Sequence, residues 1–157
     1  MSVTGVLLII SWDDCINCKN YFQKGHAKLL KYIESDPRLD YALMKIGTTG
    51  LVSKTPLHPE IQDQNKWGSW YPRFVLVTAK SWNNHKKPLE GVVMGGMIVG
   101  EAPMVPTPEF TTDPDLIYRW VVKNMLTSKF QQNTPTLPVK APPDIHFRYN
   151  GNYGRGI

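Results

Sequence analysis

An α/β domain that opens with a parallel strand–helix–strand unit is the fold class this sequence predicts. Three observations predict it. Residues 4–12 form an unbroken apolar run rich in Val, Leu and Ile. Residues 15–35 then carry apolar side chains at helical spacing, and residues 41–46 (Tyr-Ala-Leu-Met-Lys-Ile) return to a strand pattern. A continuous apolar strand suits a central position buried on both faces, and a crossover through a helix makes its two flanking strands parallel.

Asp13 and Asp14 break the first run, and either is suited to cap the helix that follows. Cys18, Phe22, Leu29 and Ile33 mark that helix's inner face, Gly25 is its weak point, and Asp36-Pro37 ends it. Residues 47–70 read as a loop with one short helix near residues 59–66, where Pro59 fits a first helical position. Residues 73–79 are a third strand, residues 81–88 a turn, and residues 91–99 a fourth strand with Gly95-Gly96 in its middle. The short connection makes this last pair an antiparallel hairpin. A Pro-rich connector over 101–112 leads to a final helix. It begins at Asp113-Pro114-Asp115, carries a stripe of Leu116, Ile117, Trp120, Val121 and Met125, and ends near Lys129. The expected organisation is a domain over residues 1–130 and an extended Pro-rich tail over 131–157.

Length and composition agree with this division. A chain of 157 residues supports one domain with a core, and 41% apolar with 20% charged residues is ordinary for a soluble globular protein. No apolar run is long enough to span a bilayer, so no membrane partner is expected. Val6–Ile10 has no Lys or Arg before it and acidic residues soon after it, which reads as a buried strand rather than a leader. The expected location is therefore cytoplasmic, in a reducing compartment, where a cysteine pair serves redox chemistry or metal more often than stapling. The net charge of +5 is scattered over the first helix and the tail, so it gives no nucleic-acid footprint.

Cys15-Ile16-Asn17-Cys18 carries the chemistry. A C-x-x-C at the first turn of a helix brings two sulfurs close enough to bond. Free amide N–H groups and the helix dipole stabilise a thiolate there. Cys15, nearer the helix end, is the candidate attacking thiolate, and Cys18, one turn inward, the candidate resolving thiol. Following a strand, without a second cysteine pair, the motif favours redox chemistry over zinc. The four histidines (His26, His58, His85, His146) are scattered, so no metal site is expected, and His26 reads as a surface residue.

With these residues on the page, the chain over about 5–129 resembles the thioredoxin family. The shared features are the order strand, C-x-x-C, helix, strand, hairpin, helix, and the segment Lys66-Trp-Gly-Ser-Trp-Tyr-Pro-Arg-Phe-Val-Leu-Val77. The resemblance implies a central four-stranded mixed sheet flanked by helices, with a cis Tyr71–Pro72 bond lying against the cysteines. It also implies substrate contacts from Pro72 and its neighbours, with Trp12, Trp70 and Tyr71 beside it. The implied activity is thiol–disulfide exchange with protein thiols or disulfides, with no dissolved cofactor. Trp67, Trp70 and Tyr71 read either as one side of a partner groove or as plain core.

Several positions depart from the family pattern. No proline lies between the cysteines, Trp12 stands three residues before Cys15, and Ile9 or Ile10 occupies the place of the family's buried acid. A second reading follows from these departures: a structural or adaptor subunit of a large assembly, such as a virus particle. There the domain is a packing block. The tail, with Phe147, Tyr149 and Tyr153 as anchors, is either a clamp on a protein partner or a disordered terminus.

Overall fold

The computed structural model describes residues 4–12, 14–39, 41–49, 59–84, 88–97 and 104–131. The tail and its aromatic anchors, with Asp13, His58, His85 and His146, lie outside the described residues.

Strand β1 (Thr4–Trp12) is the centre of a mixed α/β arrangement. It runs parallel to β2 (Tyr41–Thr49), from Thr4 opposite Tyr41 to Trp12 opposite Thr49. On its other side it runs antiparallel to β3 (Arg73–Thr78), with Gly5 opposite Thr78 and Ile10 opposite Arg73. Strand β4 (Gly91–Val93) adds to β3 antiparallel, giving the order β2-β1-β3-β4. The α/β class expected from the sequence is what the chain adopts.

The period of two along a strand explains why the first run is apolar throughout. Leu7 and Ile9 of β1 and Phe74 and Leu76 of β3 face one core, shared with Tyr21, Phe22, Leu29, Ile33, Ile117, Val121 and Met125. Val6, Leu8 and Ile10, with Val75 and Val77, face a second core with Ile61, Trp67 and Leu89. Burying each of these aliphatic side chains contributes about 1.5–3 kcal/mol relative to exposure. A polar residue at any of them would lose that gain and bury an unsatisfied group.

The first helical segment divides into α1 (Ile16–Lys24) and α2 (His26–Ser35). The junction is Gly25, buried where the chain approaching the last helix passes close. A Cβ there would lie 3.2 Å from Pro114 Cδ and 3.4 Å from Thr112 O. The α1 N-cap is Cys15, not an aspartate: Cys15 is extended at φ −91° and ψ 114°, and its sulfur accepts from the Cys18 amide. His26 is buried rather than on the surface, because its Nδ1 lies 2.9 Å from the hydroxyl of buried Tyr21.

Residues 59–67 form a 3-10 turn (Pro59–Gln62) and α3 (Gln64–Trp67), near the expected short helix. The expected turn after β3 begins instead with α4 (Ala79–Asn83), capped by Thr78, whose hydroxyl accepts from the Ser81 amide. The expected fourth strand over 91–99 stops at Val93, because Gly95 takes φ +62° and turns the chain. A Cβ at Gly95 would fall 2.3 Å from the Phe110 nitrogen, so the turn needs glycine twice over. Beyond it, β5 (Gly96–Met97) pairs antiparallel with β6 (Val105–Pro106).

Helix α5 (Pro114–Met125) starts as its sequence dictates: Asp113 accepts from the Asp115 amide and Pro114 fills the first turn. Leu116 departs from the expected stripe and is 46% exposed, whereas Ile117, Val121 and Met125 are buried in the core and Trp120 packs against it. A last turn, α6 (Ser128–Gln131), buries Phe130. No helix among the described residues is long and apolar enough to cross a membrane.

Asp36, at the C-cap of α2, ties that helix to α5. Its carboxylate accepts two hydrogen bonds from Arg38 Nε and Nη2 at 3.0 and 2.7 Å, and one from the Tyr118 hydroxyl. The Arg38 hydrogen bond, aided by Tyr118 and opposed by burial, holds the Asp36 carboxyl well below its ordinary value of 3.8. A depressed folded-state pKa adds stability above the unfolded value, which is lost as pH falls below about 4. Asp36→Asn should cost about 1–3 kcal/mol at neutral pH. It should also flatten the acid limb of stability measured by urea unfolding across pH. Equal pH dependence in the two proteins would show that Asp36 is not the linked group.

Candidate functional site

The candidate site lies where the end of β1, the start of α1 and the start of β3 meet. Antiparallel pairing of Ile10 with Arg73 brings residues 70–72 beside the segment that leaves β1. The Tyr71–Pro72 peptide bond is cis. Cys15 and Cys18 form a disulfide across one helical turn, with Cα atoms 5.2 Å apart.

The two cysteines sit in different environments. Cys18 is on the inner face of α1 and only 2% exposed. Cys15 is half-buried at the cap. Its sulfur accepts from the Cys18 amide at 3.0 Å and lies 3.6 Å from the carbonyl oxygen of Tyr71. In the reduced form the amide and the α1 dipole favour a thiolate at Cys15, whereas the Tyr71 carbonyl accepts from the neutral thiol and repels its anion.

Tyr71 and Trp12 lie at the site, and Trp70 and Pro72 flank Tyr71 in the chain. Trp12 is 39% exposed and packs edge-on against Tyr71, with ring centroids 5.3 Å apart. Trp70 is half-buried against Phe110 and beneath Gly96, where a Cβ would come within 2.7 Å of the indole. Pro72 is buried and Tyr71 half-buried. Trp67 belongs to the core and offers no groove surface, being 1% exposed. Ile16, beside Cys15, is 68% exposed, so the rim of the site is apolar as well as aromatic.

One feature agrees with what the sequence suggested and one differs from it. Ile9 and Ile10 are fully buried, so β1 places no carboxylate beneath the cysteines. A cation is buried at the start of β3. Arg73 is 3% exposed, donates from Nε to Trp70 O at 3.1 Å and from Nη1 to Trp67 O at 3.3 Å, and lies over the Tyr71 ring at 5.0 Å. Sequence reasoning missed Arg73 because a charge opening a strand reads as a solvent edge. The one available signal was its place directly after Pro72. No family model, curated protein or solved structure matches this chain.

Proposed function

We propose that this chain is a thiol–disulfide exchange protein built on a thioredoxin-like domain. The observation that carries the reading is the Cys15–Cys18 bridge at the N-terminus of α1, with the Cys15 sulfur facing the residue before cis Pro72. The strand order β2-β1-β3-β4 supports the same architecture.

In the dithiol form the Cys15 thiolate attacks one sulfur of a partner disulfide. The Cys15–partner bond forms as the partner's S–S bond breaks, and the displaced partner thiolate takes a proton from water. The Cys18 thiol, losing its proton, then attacks the Cys15 sulfur, which closes the internal disulfide and releases the second partner thiol. Two electrons pass from the pair to the partner, and an external dithiol restores the pair. Run backwards, the same steps oxidise a partner dithiol. Trp12, Trp70, Tyr71 and Pro72 hold the partner chain over Cys15, and no dissolved cofactor enters. A reducing, cytoplasmic compartment fits this chemistry.

A structural subunit is the second reading, and one observation favours it. With Ile9 and Ile10 wholly buried, β1 brings no acid to accept the Cys18 proton. The tail over 131–157 would then clamp a protein partner in a large assembly. Equilibration with glutathione or dithiothreitol buffers and thiol counting separates the two. A reversible two-electron transition between about −270 and −120 mV is the expected result. Thiols that never pair, or a bridge that resists reduction, would leave the structural subunit.

A further inference from the structure

We infer that Trp70 is a positioning residue for the exchange site: packed against the β5–β6 pair, its indole holds the Tyr71 carbonyl beside the Cys15 sulfur. The inference rests on the exchange reading above and assigns how Trp70 takes part in it, through its neighbour Tyr71.

The argument begins with what anchors the chain on either side of Tyr71. The Tyr71 carbonyl oxygen lies 3.6 Å from the Cys15 sulfur. On the C-terminal side the chain enters β3 at once, where Arg73 pairs with Ile10 of the central strand. On the N-terminal side no strand holds it. The chain leaves α3 through Gly68, at φ +93°, and crosses residues 68–72 without regular structure. Two contacts fix that crossing. One is Arg73, which donates from Nε to Trp70 O at 3.1 Å and from Nη1 to Trp67 O at 3.3 Å. The other is the Trp70 indole. Tyr71's own ring, edge-on to Trp12, places its side chain, whereas the direction of its carbonyl follows the backbone.

The indole is held by shape alone. Its N–H is buried and finds no acceptor among the described residues. A Cβ at Gly68 would fall 2.2 Å from Trp70 Cζ3, and one at Gly96 2.7 Å from Trp70 Cη2, so both glycines lie directly on the six-membered ring. Phe110 meets the indole edge-on, with centroids 6.4 Å apart. Gly96 belongs to β5, and a two-stranded pair this short does not stand alone. It is tied down at both strands: the Met104 amide donates to Gln64 O at 3.2 Å, and the Thr107 amide to Gly95 O at 2.7 Å. The segment that reads as a connector in the sequence therefore clamps Trp70 and, through it, the residue that faces Cys15.

The test is the pH dependence of Cys15 alkylation by iodoacetamide in the fully reduced chain, where buried Cys18 reacts little. The Tyr71 carbonyl accepts from the neutral thiol and repels the anion, so it raises the Cys15 pKa while it is held in place. Trp70→Ala should release it and lower that pKa by about half a unit, the scale of one neutral hydrogen bond. That is roughly threefold more thiolate at a pH below the pKa. Trp70→Phe keeps a ring without the full reach of the indole and should fall between. Val121→Ala, which opens the core beneath α5, should lower the melting temperature and leave the Cys15 pKa in place. A folded Trp70→Ala with an unchanged or higher Cys15 pKa shows that Trp70 is structural only, and an equal shift in Val121→Ala shows general loosening; either overturns the inference. Should Trp70→Ala not fold, Gly96→Ala decides. Its methyl displaces the indole from a position remote in sequence from the cysteines and should move the Cys15 pKa, and no movement overturns the proposal. These readings need no turnover, so they stand apart from the redox measurement. A pair with no reversible potential ends the exchange reading, whereas a reversible pair indifferent to Trp70 ends this inference alone.

Discussion

Cys15→Ser is expected to abolish disulfide exchange, and Cys18→Ser to halt it half-way. The asymmetry comes from burial. In Cys15→Ser the remaining thiol is Cys18, 2% exposed on the inner face of α1, where no partner disulfide reaches it in line. Exchange should fall by at least about 10³-fold, the scale of losing a nucleophile. In Cys18→Ser the accessible sulfur survives with its capping amide, so the first step proceeds and the second does not. Oxidised glutathione should then leave one glutathione on Cys15, stable until an added thiol removes it. Mass spectrometry under non-reducing conditions checks this directly. A Cys15→Ser protein as fast as wild type, or no adduct on Cys18→Ser, would end the proposed order of attack.

That asymmetry was legible in the sequence because it depends on local geometry. A C-x-x-C one turn apart on a helix must place one sulfur at the cap and the other inward. The apolar run at residues 6–10 likewise had to be buried on both faces, and Leu7 and Leu8 do face opposite cores. What the sequence hid depends on contacts between distant segments. Gly25 breaks the first helix because residues 112–114 press on it. Strand β4 stops short because Gly95 turns under Phe110. Buried His26 looks polar in the sequence until Tyr21 is seen to satisfy it. Arg73 is the clearest case. Its carbonyl partners come from the turn just before it, yet its burial depends on the pairing of β3 with β1. Periodicity reports which face a residue occupies and says nothing of the charge balance on that face.

Trp67 is where the largest loss of stability is expected. It is 1% exposed and packed in the core with Val6, Leu8, Ile10, Val75 and Val77. Trp67→Ala should cost about 3–5 kcal/mol, from lost transfer energy and the cavity left behind. That is a large share of the roughly 5–15 kcal/mol that holds a domain folded. Trp67→Phe is the informative comparison. The Trp67 indole N–H finds no acceptor among the described residues, and a buried unmet donor costs about 1–3 kcal/mol. Phenylalanine removes that penalty while keeping a ring in the cluster and beneath Lys66, whose ammonium lies 4.9 Å from the Trp67 ring. Its smaller volume leaves a partial cavity, so the two effects oppose each other. The net cost of Trp67→Phe should be under about 2 kcal/mol, well below that of alanine. Urea unfolding of the three proteins at matched slopes measures the difference. If phenylalanine costs as much as alanine, the indole's second ring, rather than a general aromatic fill, holds the β1–β3 face against α3. The unmet N–H would then be too small a penalty to register.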